Sequence, residues 1–220
     1  MAVGGLDALA DASGALWLAP ERMLLVADLH LEKGSAQARR GSLLPPYDSR
    51  ATLAALAGVA RRYDPATVVV LGDAFHDARA EDRMDEADAE SLRGLQRGRD
   101  WVWLAGNHDP RPSARFGGVF CQSLVLGGVT LRHAPGGAGG PEIAGHLHPV
   151  GKVHLRGRTL RRRCFVSDGS RCVMPAFGAY AGGLNVLDAA FSGLFPDAFA
   201  AHVLGRSRVY RIGRAHLRGD

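Results

Sequence analysis

The chain of 220 residues is poor in cysteine, lysine and long apolar runs. Its three cysteines, Cys121, Cys164 and Cys172, are odd in number and contain no C-x-x-C pair. That argues against a disulfide framework or a thiolate zinc clip and suits a reducing compartment, with each cysteine a buried thiol. No apolar run approaches the roughly 20 residues of a membrane span. The opening "MAVGGLDALADASG" has neither the basic start nor the continuous apolar stretch of a secretion signal, so a cytoplasmic protein without membrane contact is expected. No G-x-S-x-G elbow or G-x-G-x-x-G fingerprint occurs. The Gly-rich "PAFGAYAGGL" (175–184) lacks the Lys and Ser/Thr of a phosphate loop and is read as structural turns.

What is present is arginine, unevenly placed. Lys33 and Lys152 are the only lysines. Residues 1–150 hold 15 Lys/Arg against 18 Asp/Glu, and residues 151–220 hold 12 against 4, so the last third is +8 and the remainder −3. Clustered arginine can neutralise phosphates, and "LRGRTLRRR" (155–163) is either such a footprint or a solvated hairpin.

Apolar runs rich in Val, Leu and Ile alternate with helical periodicity, which predicts an α/β arrangement. "RMLLVAD" (22–28), "TVVVLGD" (67–73) and "DWVWLAGN" (100–107) read as strands. Asp48 or Ser49 is expected to cap a helix through "RATLAALAGVARRY", closed by Pro65, and residues 80–97 read as a loop followed by a surface helix. Beyond residue 107, short runs between Gly-rich turns predict a second, mixed or antiparallel sheet. At this length one domain over residues 1–220, two sheets sharing one core, is the economical organisation.

The polar residues of interest follow the C-terminal ends of these runs: Asp28 and His30, Asp73, Asn107 and His108, His133, then His146 and His148. Ligands of open α/β sheets collect at such ends. Asp28/His30 and His146/His148 are spaced i, i+2, so in extended backbone each pair faces one way and could approach one metal. Gly72, Gly106 and Gly145 precede Asp73, Asn107 and His146, where a residue without Cβ lets the chain turn sharply. Two Asp, one Asn and four His make a nitrogen and oxygen donor set suited to Mn²⁺, Fe or Zn²⁺. Seven donors exceed what one four-coordinate ion takes, and a bridging carboxylate would let them serve two ions roughly 3.5–4 Å apart.

The blocks "DLH", "GD", "GNHD", "RHAP" and "GHLH", spanning residues 28–148, resemble the signature order of the calcineurin-like metallophosphoesterases. The strings "VADLHLEKGSA", "LGDAFHD", "AGHLHP" and "MPAFGAYAGGLNV" resemble more narrowly a bacterial branch named ligase-associated DNA damage response endonucleases. The resemblance implies a four-layer α/β/β/α sandwich of two mixed sheets flanked by helices, and two divalent ions, Mn²⁺ first, with Fe or Zn as alternatives. By analogy Asp28, His30, Asp73 and His148 hold one ion, and Asp73, Asn107, His133 and His146 the other. "HAPGG" departs from the family in having Ala after His133, where Gly, Glu or His is more usual, so a differently shaped loop is expected there.

Two such ions neutralise phosphoryl oxygens and lower the pKa of water, the two needs of phosphate-ester hydrolysis. The resemblance places His108 beside the metals as proton donor to the leaving oxygen. Asp109 either orients His108 through its other ring nitrogen or caps the turn before Pro110, and Pro110 and Pro112 would stiffen the exit. His76, Lys33, Arg40 and Arg111 are candidate substrate contacts, with Glu32, Arg39 and Asp77 bordering the same loops. The expected activity is a dinuclear-metal phosphodiesterase, with a DNA or RNA endonuclease linked to repair as the leading form. The branch implies functional association with an ATP-dependent DNA ligase, a helicase and an exonuclease. Hydrolysis of a cyclic nucleotide or nucleotide pyrophosphate is the alternative. A non-catalytic scaffold is the third reading, but a decayed site should have lost a ligand or His108, and none is missing.

Overall fold

The computed structural model describes residues 1–42, 45, 47–111, 113, 115–136, 139–155 and 157–220, so Pro112 and Arg156 of the basic segment lie outside the described residues. The first sheet opens with a meander of short strands, β1 (Ala2–Val3), β2 (Leu6–Ala10) and β3 (Leu16–Leu18). It continues through β4 (Met23–Val26), helices α1 (Lys33–Arg39) and α2 (Asp48–Tyr63), and β5 (Thr67–Val70). Then come α3 (Ala80–Arg83), α4 (Glu86–Gln96), β6 (Asp100–Leu104) and β7 (Val119–Cys121). The strands lie in sequence order, antiparallel up to β4 and parallel from β4 to β7. Crossovers of one hand between successive parallel strands put their helices on one face.

Alternation along these strands divides their side chains. Leu24, Val26, Val68 and Val70 pack with Leu53, Leu56 and Val59 of α2 and Leu92 of α4. Leu25, Ala27, Val69 and Leu71 point the other way and meet Leu131, Ile143, Phe165 and Met174 of the second sheet. That sheet contains β8 (Ser123–Leu126), β9 (Val129–Arg132), β10 (Glu142–Ala144) and β11 (Val150–Leu155). It also contains β12 (Arg158–Ser167), β13 (Arg171–Val173), β14 (Ala200–Leu204) and β15 (Val209–Gly213). The order is β15-β14-β12-β13-β10-β9-β8, with β11 hairpinned onto β12. Its outer face is covered by the one-turn α5 (Ala189–Ser192) and by Phe191, Phe195 and Phe199. The fold is therefore two mixed sheets face to face, the helical layer substantial on the first and thin on the second.

Three expectations need correction. The predicted strands end earlier, at Val26, Val70 and Leu104, because the following residues leave the ladder to build turns. Neither Asp48 nor Ser49 caps α2, whose N-cap is Tyr47 without a side-chain bond. Asp48 instead accepts the Gly34 N–H at 2.9 Å and Ser49 Oγ the Glu32 N–H at 2.8 Å, tying α2 to the loop after His30. The third concerns the core, whose apolar residues form separate clusters between the sheets and beneath each outer layer. Cys164 and Cys172 are buried, Cys121 is half-buried, and all three are free thiols. Among the described residues no helix is long and apolar enough to cross a membrane.

Candidate metal centre

Parallel pairing brings the ends of β4, β5 and β6 level, and β9 and β10 end level in the second sheet. Backbone hydrogen bonds carry the alignment past the strands: Asp28 donates to the Gly72 carbonyl, His30 to Asp73 and Gly145 to His133. The two sheets meet where the His146 N–H donates to Asp28 Oδ2 at 3.0 Å.

Asp28, His30, Asp73, His146 and His148 all have left-handed backbone, with φ of 54°, 44°, 47°, 70° and 46°. For residues with a Cβ this costs roughly 1–3 kcal/mol each and persists only where the surroundings enforce it. The i, i+2 pairs therefore do not share a direction by strand alternation, and His146 and His148 diverge into different clusters. One cluster is Asp28, His30 and His148, another is Asp73, His133 and His146, and a third, without a carboxylate, is His30, His76 and His108.

In the first cluster His30 Nε2 and His148 Nε2 stand 3.3 Å apart, and Asp28 Oδ1 is 3.3 Å from His148 Nε2. Asp28 Oδ1 is buried with no hydrogen-bond partner among the described residues. In the second, His133 Nδ1 contacts the Leu71 carbonyl at 2.9 Å. A neutral ring with its proton there leaves Nε2 as a lone pair, which lies 2.8 Å from Asn107 Oδ1, 3.1 Å from His146 Nδ1 and 3.4 Å from Asp73 Oδ2. Lone pairs gathered this closely, beside an orphaned carboxylate oxygen, are what divalent cations would satisfy. Burial, then the neighbouring His148, His108, Lys33 and His76, pushes His30 down to about 2. Burial and then His133 lower His146, against Asp28 and Asp73. Both rings are thus neutral at pH 7, the form a metal requires.

His108 Nδ1 donates to the His76 carbonyl at 2.7 Å, which turns Nε2 to within 3.9 Å of Asp73 Oδ2. Neither reading of Asp109 holds. Its Oδ1 accepts the Asp73 N–H and its Oδ2 the Phe75 N–H, each at 3.0 Å, so it clamps the turn bearing Asp73, and the His108 nitrogen assigned to it is already occupied. Burial pushes this carboxyl up to about 6 despite those hydrogen bonds. Asp109→Ala is expected to leave two buried N–H groups unpaired, costing about 1–3 kcal/mol each. Urea unfolding of the Ala and Asn variants measures this, and Asn should recover part of the loss.

Of the preceding glycines, only Gly72 has positive φ, at 73°. Gly106 and Gly145 are needed for space: a Cβ on Gly145 would lie 2.5 Å from Asp28 Oδ2, and one on Gly106 would strike Asp73 N, Asp73 Oδ1 and Asp109 Oδ1. Gly106→Ala is expected to cost at least about 1–3 kcal/mol through overpacking and to displace Asp73. Urea unfolding and metal content report the two effects separately.

A cleft of about 430 Å³ lies over the clusters, lined among others by Lys33, Gln37 and Arg40 of the α1 region and by His76. His76 stacks on His108 with ring centroids 5.2 Å apart. Arg111 is exposed and outside this lining. Glu32 is buried and accepts from Ser35 and Ser49 hydroxyls at 2.6 and 2.7 Å, so it holds the loop instead of facing phosphate. The sequence reading missed Gln37, at helical spacing from Lys33, and the buttress behind Asp28. There Arg163 donates to the Ala176 and Phe177 carbonyls, while Phe177 N–H donates to Ala27 and Gly178 N–H to Asp28. No local motif marks either.

The family profile described as calcineurin-like phosphoesterase matches residues 21–159, well over half the chain. Among solved structures, the crystal structure of Pseudomonas putida nuclease MPE is similar at 30% identity, covering 96% of this chain and 98% of that one with a TM-score of 0.78. Yfce, a phosphoesterase from E. coli, is 15% identical over 86% of this chain and 97% of that one, with a TM-score of 0.42. Comparison with curated proteins gives no match. The profile, the whole-chain likeness at 30% identity and the paired His/Asp clusters together make this chain a member of the calcineurin-like phosphoesterase family, a metal-dependent phosphoester hydrolase.

Proposed function

We propose that the protein is a dinuclear-metal phosphodiesterase acting on nucleic-acid strands, an endonuclease serving DNA repair in functional association with an ATP-dependent DNA ligase, a helicase and an exonuclease. The observation that carries the chemistry is the meeting of two His/Asp clusters beside one half-exposed histidine, His108. Likeness to a nuclease over nearly the whole chain supports the strand as substrate, and the cationic wall of the cleft fits a phosphate backbone.

Asp28, His30, Asp73 and His148 would hold one ion, and Asp73, Asn107, His133 and His146 the second, Asp73 being shared. Bound there, divalent ions neutralise the phosphoryl oxygens and supply hydroxide near neutral pH. Asp73 is suited to sharing because Oδ1 is fixed by the His108 N–H at 2.9 Å while Oδ2 faces the histidines. The His76 carbonyl fixes the His108 proton on Nδ1, so protonated Nε2 presents its hydrogen to the cleft and passes it to the departing oxygen. Lys33 and Arg40 attract the flanking phosphates, and His76 restricts the His108 ring by stacking.

The deciding assay compares bis-p-nitrophenyl phosphate with its monoester, and a single-stranded oligonucleotide with 2′,3′- and 3′,5′-cyclic nucleotides, in Mn²⁺, Fe²⁺ or Zn²⁺. Diester preference and strand cleavage in Mn²⁺ are expected. Equal turnover of monoester and diester removes the diesterase assignment, and cyclic-nucleotide cleavage with an intact strand favours the small-molecule reading. Chelation is expected to abolish activity, and Mn²⁺ at 100 times its Kd to stabilise the fold by about 2.7 kcal/mol per ion, read as a rise in Tm.

A further inference from the structure

Another hollow shares no lining residue with the cleft over the metal centre. It has a volume of about 1050 Å³ and lies between the β2–β3 turn of one sheet and the β14–β15 turn of the other, with Arg62 and Tyr63 of α2 in its wall. Arg206, Arg208 and Arg211 line it as well, and their guanidinium groups make no ion pair or hydrogen bond among the described residues. Asp11, the one acidic residue of the lining among the described residues, is already engaged, accepting from Arg62 and from the Tyr63 hydroxyl at 2.7 Å each. Its charge is therefore matched within the wall, and three exposed arginines face the hollow uncompensated.

We propose that this cleft is a second nucleic-acid site that binds the phosphodiester backbone of the strand being cut, at a distance from the reacting bond. The proposal rests on the nuclease reading above. Guanidinium forks match phosphate oxygens in bidentate fashion, and three of them without counter-ions make an electrostatic footprint independent of base sequence. The volume exceeds that of the catalytic cleft more than twofold, room for several nucleotide units instead of one small anion. Ser13 also lines a neighbouring hollow bounded by Thr52, Arg163 and Gly178, and Gly178 N–H donates to the Asp28 carbonyl. The cleft thus neighbours a hollow whose wall includes the segment that backs the metal centre. This also gives the basic last third a use that the 155–163 segment does not fully supply, since Arg163 there is spent on backbone carbonyls.

The test is steady-state kinetics of the full-length Mn²⁺ protein and its Arg206→Gln/Arg208→Gln/Arg211→Gln variant, on a fluorescent single-stranded oligonucleotide and on bis-p-nitrophenyl phosphate. The neutral exchange at exposed positions spares the fold. For the oligonucleotide, KM should rise at least about tenfold, and the slope of log kcat/KM against log salt should become shallower by about 2, three contacts at roughly 0.7 each. Bis-p-nitrophenyl phosphate, too small to reach the cleft, should be hydrolysed at the parental rate. Unchanged oligonucleotide KM and salt slope overturn the site while leaving the nuclease reading intact. Equal loss on both substrates also overturns it, because the arginines then serve the fold or the chemistry. Wild-type protein that hydrolyses bis-p-nitrophenyl phosphate but never cuts the strand sinks the nuclease reading itself. Poly-glutamate displacing the oligonucleotide from the wild type at lower concentration than unlabelled strand overturns the choice of occupant in favour of an acidic protein.

Discussion

Asp73→Asn is expected to fold, to lose one or both metal ions and to hydrolyse no phosphodiester at a measurable rate. The amide oxygen can still accept the His108 N–H that Asp73 Oδ1 accepts at 2.9 Å, and the left-handed turn remains clamped by Asp109. What disappears is the negative charge facing His133 at 3.4 Å, the charge proposed to be shared by both ions. Losing a partner that only orients a ligand typically costs about 10–100-fold in metal affinity, so losing a shared ligand should exceed that range. Metal stoichiometry by plasma spectrometry, Tm and rate are measured on one preparation. A variant that binds two ions and retains activity would remove Asp73 from its proposed position, whereas a collapse in Tm without added metal would mark the residue as structural.

His108→Ala should separate two substrates that the same metal site serves. The His108 ring gathers with His30 and His76, but it is not part of either cluster that contains Asp28 or Asp73. Metal content should stay at the parental level. A strand expels an alkoxide, which needs a proton, and loss of the donor is expected to slow its cleavage by about 10²–10⁴-fold. The p-nitrophenolate ion is a stable leaving group that departs unprotonated, so bis-p-nitrophenyl phosphate should be affected much less. Loss of equal size on both substrates would assign His108 to phosphate positioning, and no loss on the strand would remove it as the acid.

Much of the centre was legible because its donors follow apolar runs at short range. Asp28, Asp73, Asn107, His133 and His146 could all be named from that position. Their geometry was not legible in the same way. Strand alternation predicts that His146 and His148 face together, yet left-handed backbone at both sends them to different clusters. Residue types other than glycine announce no such conformation, since the hydrogen bonds that enforce it come from distant segments, as when Asp28 Oδ2 receives the N–H of His146. Asp109 illustrates the same limit. Adjacency suggested a partner for His108, but its carboxylate reaches back 36 residues to the Asp73 N–H. The N-terminal meander escaped because its strands, of 2, 5 and 3 residues, are too short to establish a period.

Sequence alone determined the class of fold and the candidate donors, because hydrophobic period and side-chain identity are local properties. Tertiary structure alone decided which candidate donors cluster, that Nδ1 of His108 donates to the His76 carbonyl, and that Glu32 and Arg163 hold loops instead of phosphates. It also gathered Arg62, Arg206, Arg208 and Arg211 around one cleft. Each of these depends on hydrogen bonds and burial between segments far apart in the chain, and such contacts exist only after the two sheets have closed on each other.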